Sequence, residues 1–394
     1  MEILKLAIIN GTPYFEENNF KLLSPTEYTS LKQFDFFEKV VLLKPKLDNN
    51  LNVKTSSWEK VNLNWEFNQV CTTSQNYFKR KQSVRKSIEK FCKTNQDYIF
   101  YLRLPNNEAV WAYKILKKYK CTFFSELHGD WVESIRDEDS NSILRRITRP
   151  IRKIYAKKMM IEISKDSIFC MTIGERLKKF VPKDKPVLIT TNHLLNKEDY
   201  IQEYKPKKKN SVFKILFVGD IQKRKGIRYL IEALAKIKSE YKNNPFQLDI
   251  IGDGPQFKIL DSLSTELNLN DSINFHGRIT DRNKLLNYFR SSDVFVLPSI
   301  GSEGVPRVTH EAMASGCAVI ATDVGSVRWQ LSDNCGIVVK SGSSDELFKA
   351  IAKLMNNIEE LNEIAFNGYK KSLLFTYELQ KQKYYDFITK QLKM

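Results

Sequence analysis

Residues 293–322 read DVFVLPSIGSEGVPRVTHEAMASGCAVIAT, and this stretch decides the fold of the region around it. Its two apolar runs, DVFVLPS and CAVIAT, are typical of strands buried on both faces of a parallel sheet. Between them a glycine-containing loop leads to Pro306, which suits the first position of a helix, and Gly316 suits its end. The pattern therefore predicts a strand, a loop, a short helix and a second strand.

Two acids lie in the loop and helix of this stretch, Glu303 and Glu311. In a doubly wound sheet, ligands bind beyond the carboxyl ends of the strands. The N-terminal amides of a helix favour a phosphate there, and carboxylates accept hydrogen bonds from hydroxyl groups. We therefore expect the two acids to bind hydroxyls on either side of a phosphate, as a sugar nucleotide requires. Spacing alone leaves open the alternative that both are ordinary solvated glutamates near a helix.

The same alternation of strands with helices of 10–15 residues continues through the second half of the chain, and a less regular version occupies the first. A length of 394 residues suits two domains of roughly 150–200 residues. The predicted class is α/β, with two Rossmann-like domains whose parallel sheets face a central cleft. The predicted segments are an N-terminal domain over 1–195, a lysine-rich linker over 196–212, a C-terminal domain over 213–372, and a helix over 373–394 that crosses back to the first domain.

The composition is that of a globular protein with a formal net charge of +17. A surplus of this size attracts polyanions, which include nucleic acid, an anionic membrane and phosphate-bearing substrates. The six cysteines form no C-x-x-C pair and are typical of reduced, buried residues in a cytoplasmic protein. The N-terminus, MEILKLAIIN, is interpreted as a first strand rather than a signal peptide. No run approaches the ~18 apolar residues that would span a bilayer, so any membrane contact is expected to be peripheral.

The motif EGVPRVTHEAMASGCAVIAT resembles the E-x7-E signature of the family 4 retaining glycosyltransferases, which have the GT-B fold. ILFVGDIQKRKGIRYLIEAL at 215–234, LDIIGDGP at 248–255 and INFHGRI at 273–279 match the family in the same order, whereas the first half is only weakly similar. The resemblance implies a retaining, hexosyl-type transfer from a nucleotide sugar to a hydroxyl of a saccharide or lipid-linked acceptor, as in bacterial surface polysaccharide or glycolipid synthesis. No D-x-D motif accompanies the donor signature, so neither a metal nor another cofactor is expected.

The resemblance also assigns residues by position. Glu303 matches the acid that contacts hydroxyls of the donor sugar, and Lys225 matches the lysine that neutralises the leaving diphosphate. Glu311 matches the acid that holds the ribose. The expected donor-binding residues are Glu311, Gly304, Val305, Pro306, Gly219 and Arg224.

One position departs from the family pattern. The family usually carries an arginine directly after the glycine of FVG, whereas this chain has Asp220. A carboxylate cannot stabilise a departing phosphate, so another cation is expected to replace the arginine, and Lys223 and Arg224 are the candidates.

In the first half, the segment SELHGDW at 125–131 resembles the family segment that carries a histidine at the end of a strand. His128 is therefore a candidate catalytic residue with Glu303 and Lys225, although a lone histidine is often structural. His276 and His310 are interpreted as structural. The loop INGTPYFEENNF has one glycine and lacks the glycine-rich character of many relatives.

The segment ILRRITRPIRKIYAKKMM, residues 143–160, carries seven Arg/Lys and no acid, with apolar residues at helical spacing. A basic amphipathic helix of this kind can lie on an anionic membrane, in this case on the cytoplasmic face. The alternative is that the stripe packs on its own domain while the charges are solvated. A separate rival for the whole chain is a polyanion- or nucleic-acid-binding protein on an inactive GT-B scaffold. No RNA-binding signature supports that rival, so nucleic acid is not an expected partner.

Overall fold

The structure is a computed structural model that describes residues 4–17, 20–48, 58–61, 65–136, 138, 142–191, 195–209, 211–301 and 303–393. The chain divides into two compact units. The first unit contains Met1–Asn192 together with Gln380–Met394, and the second contains His193–Leu379.

The strands of the first unit are β1 (Lys5–Ile9), β2 (Phe15–Glu17), β3 (Phe20–Leu23), β4 (Lys39–Lys46), β5 (Glu59–Lys60), β6 (Trp65–Thr72), β7 (Tyr98–Leu104), β8 (Phe123–Leu127), β9 (Cys170–Ile173) and β10 (Val187–Thr190). Its helices before residue 192 are α1 (Pro25–Leu31), α2 (Tyr77–Thr94), α3 (Asn107–Lys118), α4 (Trp131–Arg136), α5 (Ile143–Ile147) and α6 (Arg149–Asp166).

Seven of these strands form one parallel sheet in the order β10-β9-β8-β7-β1-β4-β6. Buried apolar clusters lie against the sheet, and this explains why β1, KLAII, has four fully buried apolar residues in succession. After β1 the chain adds strands first on one side of β1 and then, from β7 onward, on the other. The loops after β1 and β7 therefore flank the point at which the strand order reverses, where α/β sheets bind ligands.

The strands of the second unit are β11 (Phe213–Val218), β12 (Phe246–Ile251), β13 (Ile273–Phe275), β14 (Val294–Leu297), β15 (Ala318–Thr322) and β16 (Ile337–Val339). The helices that follow are α7 (Ile227–Glu240), α8 (Phe257–Glu266), α9 (Arg282–Ser291), α10 (Arg307–Ala314), α11 (Val327–Gln330), α12 (Ser344–Asn356), α13 (Ile358–Ser372) and α14 (Tyr377–Leu392).

The second sheet is also parallel, in the order β13-β12-β11-β14-β15-β16. Its strand order reverses between β11 and β14, so the loops after these two strands flank the corresponding ligand-binding position. The segment quoted first from the sequence forms β14, α10 and β15. Helix α10 begins directly after Pro306, and Gly316 follows its end with a φ of +67°, which confirms the predicted strand, loop, helix and strand.

The predicted linker and the C-terminal helix α14 each pack on one of the two units. Within the predicted linker, the hydroxyl of Tyr204 donates a hydrogen bond to the backbone oxygen of Asn362 at 3.0 Å, so this part of the chain packs on α13 of the second unit. From Gln380 onward, α14 belongs to the first unit. There Gln380 Oε1 accepts a hydrogen bond from Thr190 Oγ1 at 2.9 Å, and Tyr384 is fully buried.

In the part of the chain that the structure describes, no helix is both long enough and apolar enough to cross a bilayer. All six cysteines are buried and none forms a disulfide.

Candidate functional site

The loops after β11 and β14 meet in the second unit. The backbone N–H groups of Ile300 and Gly301 donate to the carbonyl oxygen of Arg224 at 2.8 and 3.1 Å. Gly226 adopts a φ of +63°, and a Cβ at this position would lie 2.1 Å from the carbonyl oxygen of Pro298. Glycine is therefore required at position 226 for the two loops to approach each other.

Lys225 and Glu303 form the centre of this site. Nζ of Lys225 lies 2.7 Å from Oε1 of Glu303, and both side chains are only 11% exposed. The same oxygen accepts hydrogen bonds from Ser299 Oγ at 2.8 Å and from Arg224 Nη1 at 3.3 Å. Oε2 of Glu303 has no hydrogen-bond partner among the residues that the structure describes. One carboxylate oxygen is thus fixed by three donors while the other can accept a bond from a ligand hydroxyl.

The backbone from Glu303 to Pro306 is fixed by a neighbouring turn. Ser326 N donates to the carbonyl oxygen of Gly304 at 2.9 Å. Gly325 has a φ of +55°, and a Cβ there would lie 1.5 Å from the carbonyl oxygen of Glu303. Val305 is buried, and α10 starts immediately after Pro306. The first amides of α10 therefore follow the acidic loop, and a helix N-terminus favours a bound anion.

Glu311 lies on α10 with its carboxylate held by two arginines. Its Oε1 accepts hydrogen bonds from Arg282 Nη1 at 2.6 Å and from Arg307 Nε at 3.0 Å. Arg282 also donates through Nε to Asp199 Oδ1 at 2.9 Å. Burial alone would lower the pKa of Arg282, but the carboxylates of Glu311 and Asp199 raise it above its ordinary value. Glu311 is thus a buried acid that two arginines orient.

The glycine and aspartate after β11 are placed differently from each other. Gly219 has a φ of +154°. A Cβ at position 252 would lie 1.9 Å from the carbonyl oxygen of Gly219, so the backbones of the two loops are in close contact. Asp220 is exposed, and its backbone oxygen accepts a hydrogen bond from the N–H of Gln222 at 2.9 Å. Of the two cations proposed to replace the missing arginine, Arg224 reaches Glu303, whereas the exposed Lys223 has no contact with Glu303 among the described atoms.

Sequence reasoning missed several residues of this site. Ser299 binds Glu303, and Arg282 and Arg307 bind Glu311. Asp199 binds Arg282 in turn, and none of these four residues was predicted from the sequence. Arg307 lies four residues before Glu311 on one helix, a spacing that would have predicted the ion pair. Arg282 and Asp199 are distant in sequence from Glu311, and only the three-dimensional fold brings them to it.

The first unit contains a pocket of about 780 Å³ at the carboxyl ends of β1 and β7. Its lining includes both polar and aromatic side chains. The ring of Tyr77 lies edge-on to Trp111 with the ring centroids 5.2 Å apart, and Arg80 Nε lies 2.6 Å from Glu108 Oε1. The remaining lining residues are Asn10, Gly11, Thr12, Pro13, Gln75, Arg103, Leu104, Pro105, Asn106, Asn107 and His128.

His128 lines this pocket directly after β8, and both of its ring nitrogens are occupied. Nδ1 accepts a hydrogen bond from Arg103 Nη2 at 2.9 Å, and Nε2 donates to the carboxylate of Glu126. Burial, reinforced by the charge of Arg103, lowers the pKa of His128 in spite of Glu126. The imidazole is therefore neutral near pH 7, with the proton on Nε2.

A buried network of charges supports His128. Burial alone would raise the pKa of Glu126, but His128 and Arg103 hold it at about 2. The hydroxyl of Tyr384 on α14 donates to Oε1 of Glu126 at 2.6 Å. Tyr101 donates to the other carboxylate oxygen. The network thus joins a strand end of the pocket to the C-terminal helix of the same unit.

Glu27 holds the other end of this network. Lys44 Nζ lies 2.6 Å from its Oε1, and Arg103 Nη1 lies 2.9 Å from its Oε2. Asn10 also donates to the Glu27 carboxylate. Burial would raise the pKa of Glu27, but the two cations lower it to about 2. Arg103 therefore connects a buried acid to the imidazole of His128.

The side chains of the two other described histidines bind residues outside these sites. His310 is buried on α10, where Nε2 lies 3.1 Å from the hydroxyl of Tyr200 and 3.3 Å from the carbonyl oxygen of Ser372. Burial lowers its pKa to about 4. His276 lies 2.7 Å from Asp249 Oδ1. Within the described ranges, no three His, Cys, Asp or Glu side chains are grouped so that they could hold a metal ion.

Comparison with known proteins connects the second unit to a family. Residues 196–371 match the family described as glycosyl transferases group 1. This region contains Lys225, Glu303 and Glu311, so the likeness concerns the second unit.

Individual relatives match over about 145 residues of this chain. A glycosyltransferase of uncharacterized activity from Haemophilus influenzae is 32% identical over 147 residues, which cover 37% of this chain and 40% of that protein. Phosphatidyl-myo-inositol mannosyltransferase from Mycobacterium leprae is 33% identical over 145 residues, which cover 36% of this chain and 37% of the relative. The matched part is therefore less than half the length of these curated relatives.

Solved structures match over almost the whole chain. HepE from Anabaena, crystallised in complex with UDP, has a TM-score of 0.68 at 15% sequence identity and covers 98% of this chain and 100% of its own. At this identity the likeness concerns the fold alone. With the two parallel sheets and the family match, it establishes the GT-B fold and confirms the predicted fold class.

Proposed function

We propose that this protein is a retaining glycosyltransferase that moves a sugar from a nucleotide-sugar donor to a hydroxyl of a saccharide or lipid-linked acceptor. The observation that carries the proposal is the contact of Lys225 with Glu303 at the reversal of strand order in the second unit, beside the N-terminus of α10. The family match over 196–371 supports it.

Each group of this site suits one part of such a donor. Glu303 Oε2 would accept hydrogen bonds from hydroxyls of the donor sugar, because Oε1 is held by protein donors. The ammonium of Lys225 and the first amides of α10 would neutralise the diphosphate. Arg224, with one guanidinium nitrogen already 3.3 Å from Glu303, is the second cation that replaces the arginine absent at Asp220. Glu311 would accept from the ribose hydroxyls. The UDP in HepE supports a nucleoside diphosphate as the leaving group.

The proposed reaction is a displacement on one face of the sugar. The bond from C1 to the diphosphate oxygen breaks as the acceptor oxygen bonds to C1 on the same face. The acceptor proton passes to the departing phosphate oxygen, so no protein nucleophile takes part. The transition state is oxocarbenium-like, and Lys225 contributes because negative charge grows on the phosphate as the bond breaks. No metal ion has a role in this scheme.

The pocket of the first unit is proposed to hold the acceptor. Its aromatic wall, Tyr77 and Trp111, suits the apolar face of a sugar ring, and the amides of Gln75 and Asn106 suit its hydroxyls. His128, neutral and fixed by Arg103 and Glu126, would present a rigid ring edge in that pocket. An acceptor from cell-surface polysaccharide or glycolipid synthesis, on the cytoplasmic side of the membrane, fits the lipid substrate named for the mycobacterial relative.

The test is release of nucleoside diphosphate from UDP-, GDP- and ADP-sugars by the purified chain, measured once in EDTA and once with added divalent metal and no EDTA. Turnover with one nucleotide class that Glu303→Gln abolishes, and that an exposed control such as Glu240→Gln retains, supports the proposal. Proton NMR of the product then gives the anomeric configuration. Turnover that requires added divalent metal would contradict the metal-free scheme, and an inverted product would contradict the one-face displacement.

A further inference from the structure

Helices α5 and α6 carry a row of apolar side chains that point into solvent. We call this set the apolar stripe; its members and their exposed fractions are Ile143 73%, Leu144 71%, Ile147 70%, Ile151 70%, Ile154 70% and Tyr155 45%. At about 100° per residue, these positions fall within an arc of about 120° on one helical face. A contiguous row of exposed isoleucines is unusual on a protein surface in contact only with water.

The opposite face of α6 is the one that packs on the first unit. Ala156, Met159, Met160 and Ile163 are buried there, and the last three join the apolar clusters that contain residues of β7 and β8. The sequence left open whether the stripe packs on its own domain or meets a membrane. The exposures exclude packing on the domain for the five aliphatic members of the stripe.

The basic residues of these helices border the stripe. Arg145 and Arg152 pair with Glu138 at 2.8 and 2.7 Å, and Arg149 donates to its backbone oxygen at 2.8 Å. Arg146, Lys153, Lys157 and Lys158 have no carboxylate partner among the described residues. Lys158 lies within the arc of the stripe, where a long side chain can extend its ammonium toward a polar surface layer while its methylenes stay in apolar surroundings.

Aromatic residues continue the apolar surface toward the pocket of the same unit. The rings of Tyr155 and Trp131 have centroids 6.4 Å apart, and Trp131 lies three residues after His128. Phe78 is 80% exposed and packs edge-on against Tyr77, which lines the pocket. Burial first, and then the neighbouring hydroxyl of Tyr77, raises the pKa of Tyr155.

We propose that the apolar stripe docks this protein on an anionic bilayer surface, with α5 and the first half of α6 lying in the plane of the headgroups. The apolar arc would enter the boundary between headgroups and acyl chains, and the basic border would contact lipid phosphates. A second copy of the chain is a poorer occupant, because stripe-to-stripe packing would bring two uncompensated basic borders together. An acidic partner protein is the remaining alternative. The basic, acid-free segment 143–160 is compatible with such a partner but does not by itself require one.

The test is flotation of the full chain with vesicles of phosphatidylglycerol and phosphatidylcholine, compared with vesicles of phosphatidylcholine alone. Ile151→Gln/Ile154→Gln removes part of the stripe, and Arg146→Gln/Lys157→Gln/Lys158→Gln removes part of the border. The matched controls alter exposed residues of the second unit: Ile259→Gln/Leu379→Gln for the apolar change, and Lys242→Gln/Lys258→Gln/Lys340→Gln for the charge. Because all these positions are on the surface, each variant should keep the melting temperature of the wild type.

We expect the wild type to bind anionic vesicles only, and to bind them more weakly as the salt concentration rises from about 0.05 to about 0.5 M. The stripe variant and the border variant should each lose affinity by about tenfold or more, whereas the two controls should not. If the border variant and its lysine control in the second unit lost the same vesicle affinity, the net charge alone would explain the attraction, and the proposal would be overturned. It would also be overturned by a wild type that fails to float at low salt, or by a dimer in light scattering that Ile151→Gln/Ile154→Gln dissociates.

Discussion

Nζ of Lys225 lies 2.7 Å from Oε1 of Glu303, and this pair joins the loops that follow β11 and β14. The ammonium of Lys225 can exchange the carboxylate of Glu303 for another anion, such as a diphosphate. A diphosphate that enters the site offers Lys225 a new partner without moving it into an uncharged environment, while Arg224 and Ser299 continue to hold Glu303.

Replacing Lys225 tests its electrostatic role. We expect Lys225→Ala to lower the rate of nucleoside diphosphate release by about 10²–10³-fold, because it removes a preorganised positive charge from the leaving group. Lys225→Arg should retain part of the rate, since its charge is kept but its shape is changed. The rate is measured at saturating donor, with Lys242→Ala as an exposed control. A rate within a factor of about three of wild type in Lys225→Ala would remove the lysine from the mechanism.

Arg282 is predicted to stabilise the second unit by holding Glu311. Arg282→Ala leaves a carboxylate that is 96% covered with Arg307 as its remaining described partner, and it removes the bridge to Asp199. We expect a loss of about 2–4 kcal/mol. The melting temperature should fall by roughly 5–15 °C for a unit of this size. Arg278→Ala, an exposed change in the same region, should leave it unchanged.

Two acids of the first unit provide a matched comparison of buried and exposed ion pairs. Glu27 binds Lys44 and Arg103 in the interior, and Glu16 binds Lys21 and Lys46 near the surface. Glu27→Ala should cost about 3–5 kcal/mol because it leaves a fully buried ammonium without its carboxylate. Glu16→Ala should cost less than about 1 kcal/mol. Equal melting temperatures for the two variants would contradict the burial of the Glu27 network.

His310 is predicted to make stability depend on pH. Its folded-state pKa of about 4 lies below the ordinary 6.5, so the unfolded chain binds more protons between these values. Stability contributed by the neutral ring is therefore complete above pH 6.5 and falls as the pH drops toward 4, by up to about 3 kcal/mol. Melting temperatures across this range should fall less steeply in His310→Gln than in wild type. Parallel curves would show that the ring is not buried in its neutral form.

The fold of the second unit could be predicted because its signals are local. Short apolar runs, Pro306 and Gly316 define β14, α10 and β15 without reference to distant residues. The order of such elements predicted two Rossmann-like α/β domains, the resemblance of the motif implied the GT-B class, and the fold class is confirmed.

The partners of the predicted acids could not be predicted in the same way. Arg282 at the start of α9 reaches Glu311 on α10 only through the three-dimensional fold, whereas Ser299 lies four residues before Glu303 in the same loop. The environment of His128 depends on Arg103 and Glu126 from neighbouring strands, and on Tyr384 from the far end of the chain. Contacts of this kind have no periodic signature in the sequence. The roles of Glu303, Lys225 and His128 in catalysis stay predictions.

The most direct test of the central claim is calorimetric titration of UDP, GDP and ADP, in EDTA, into the wild type, Lys225→Ala and Lys242→Ala. The account predicts that one nucleoside diphosphate binds the wild type and the Lys242→Ala control with equal affinity, and binds Lys225→Ala at least about tenfold more weakly. Binding of none of the three at millimolar concentration, or equal binding to all three proteins, would contradict the assignment of this site to a nucleotide-sugar donor.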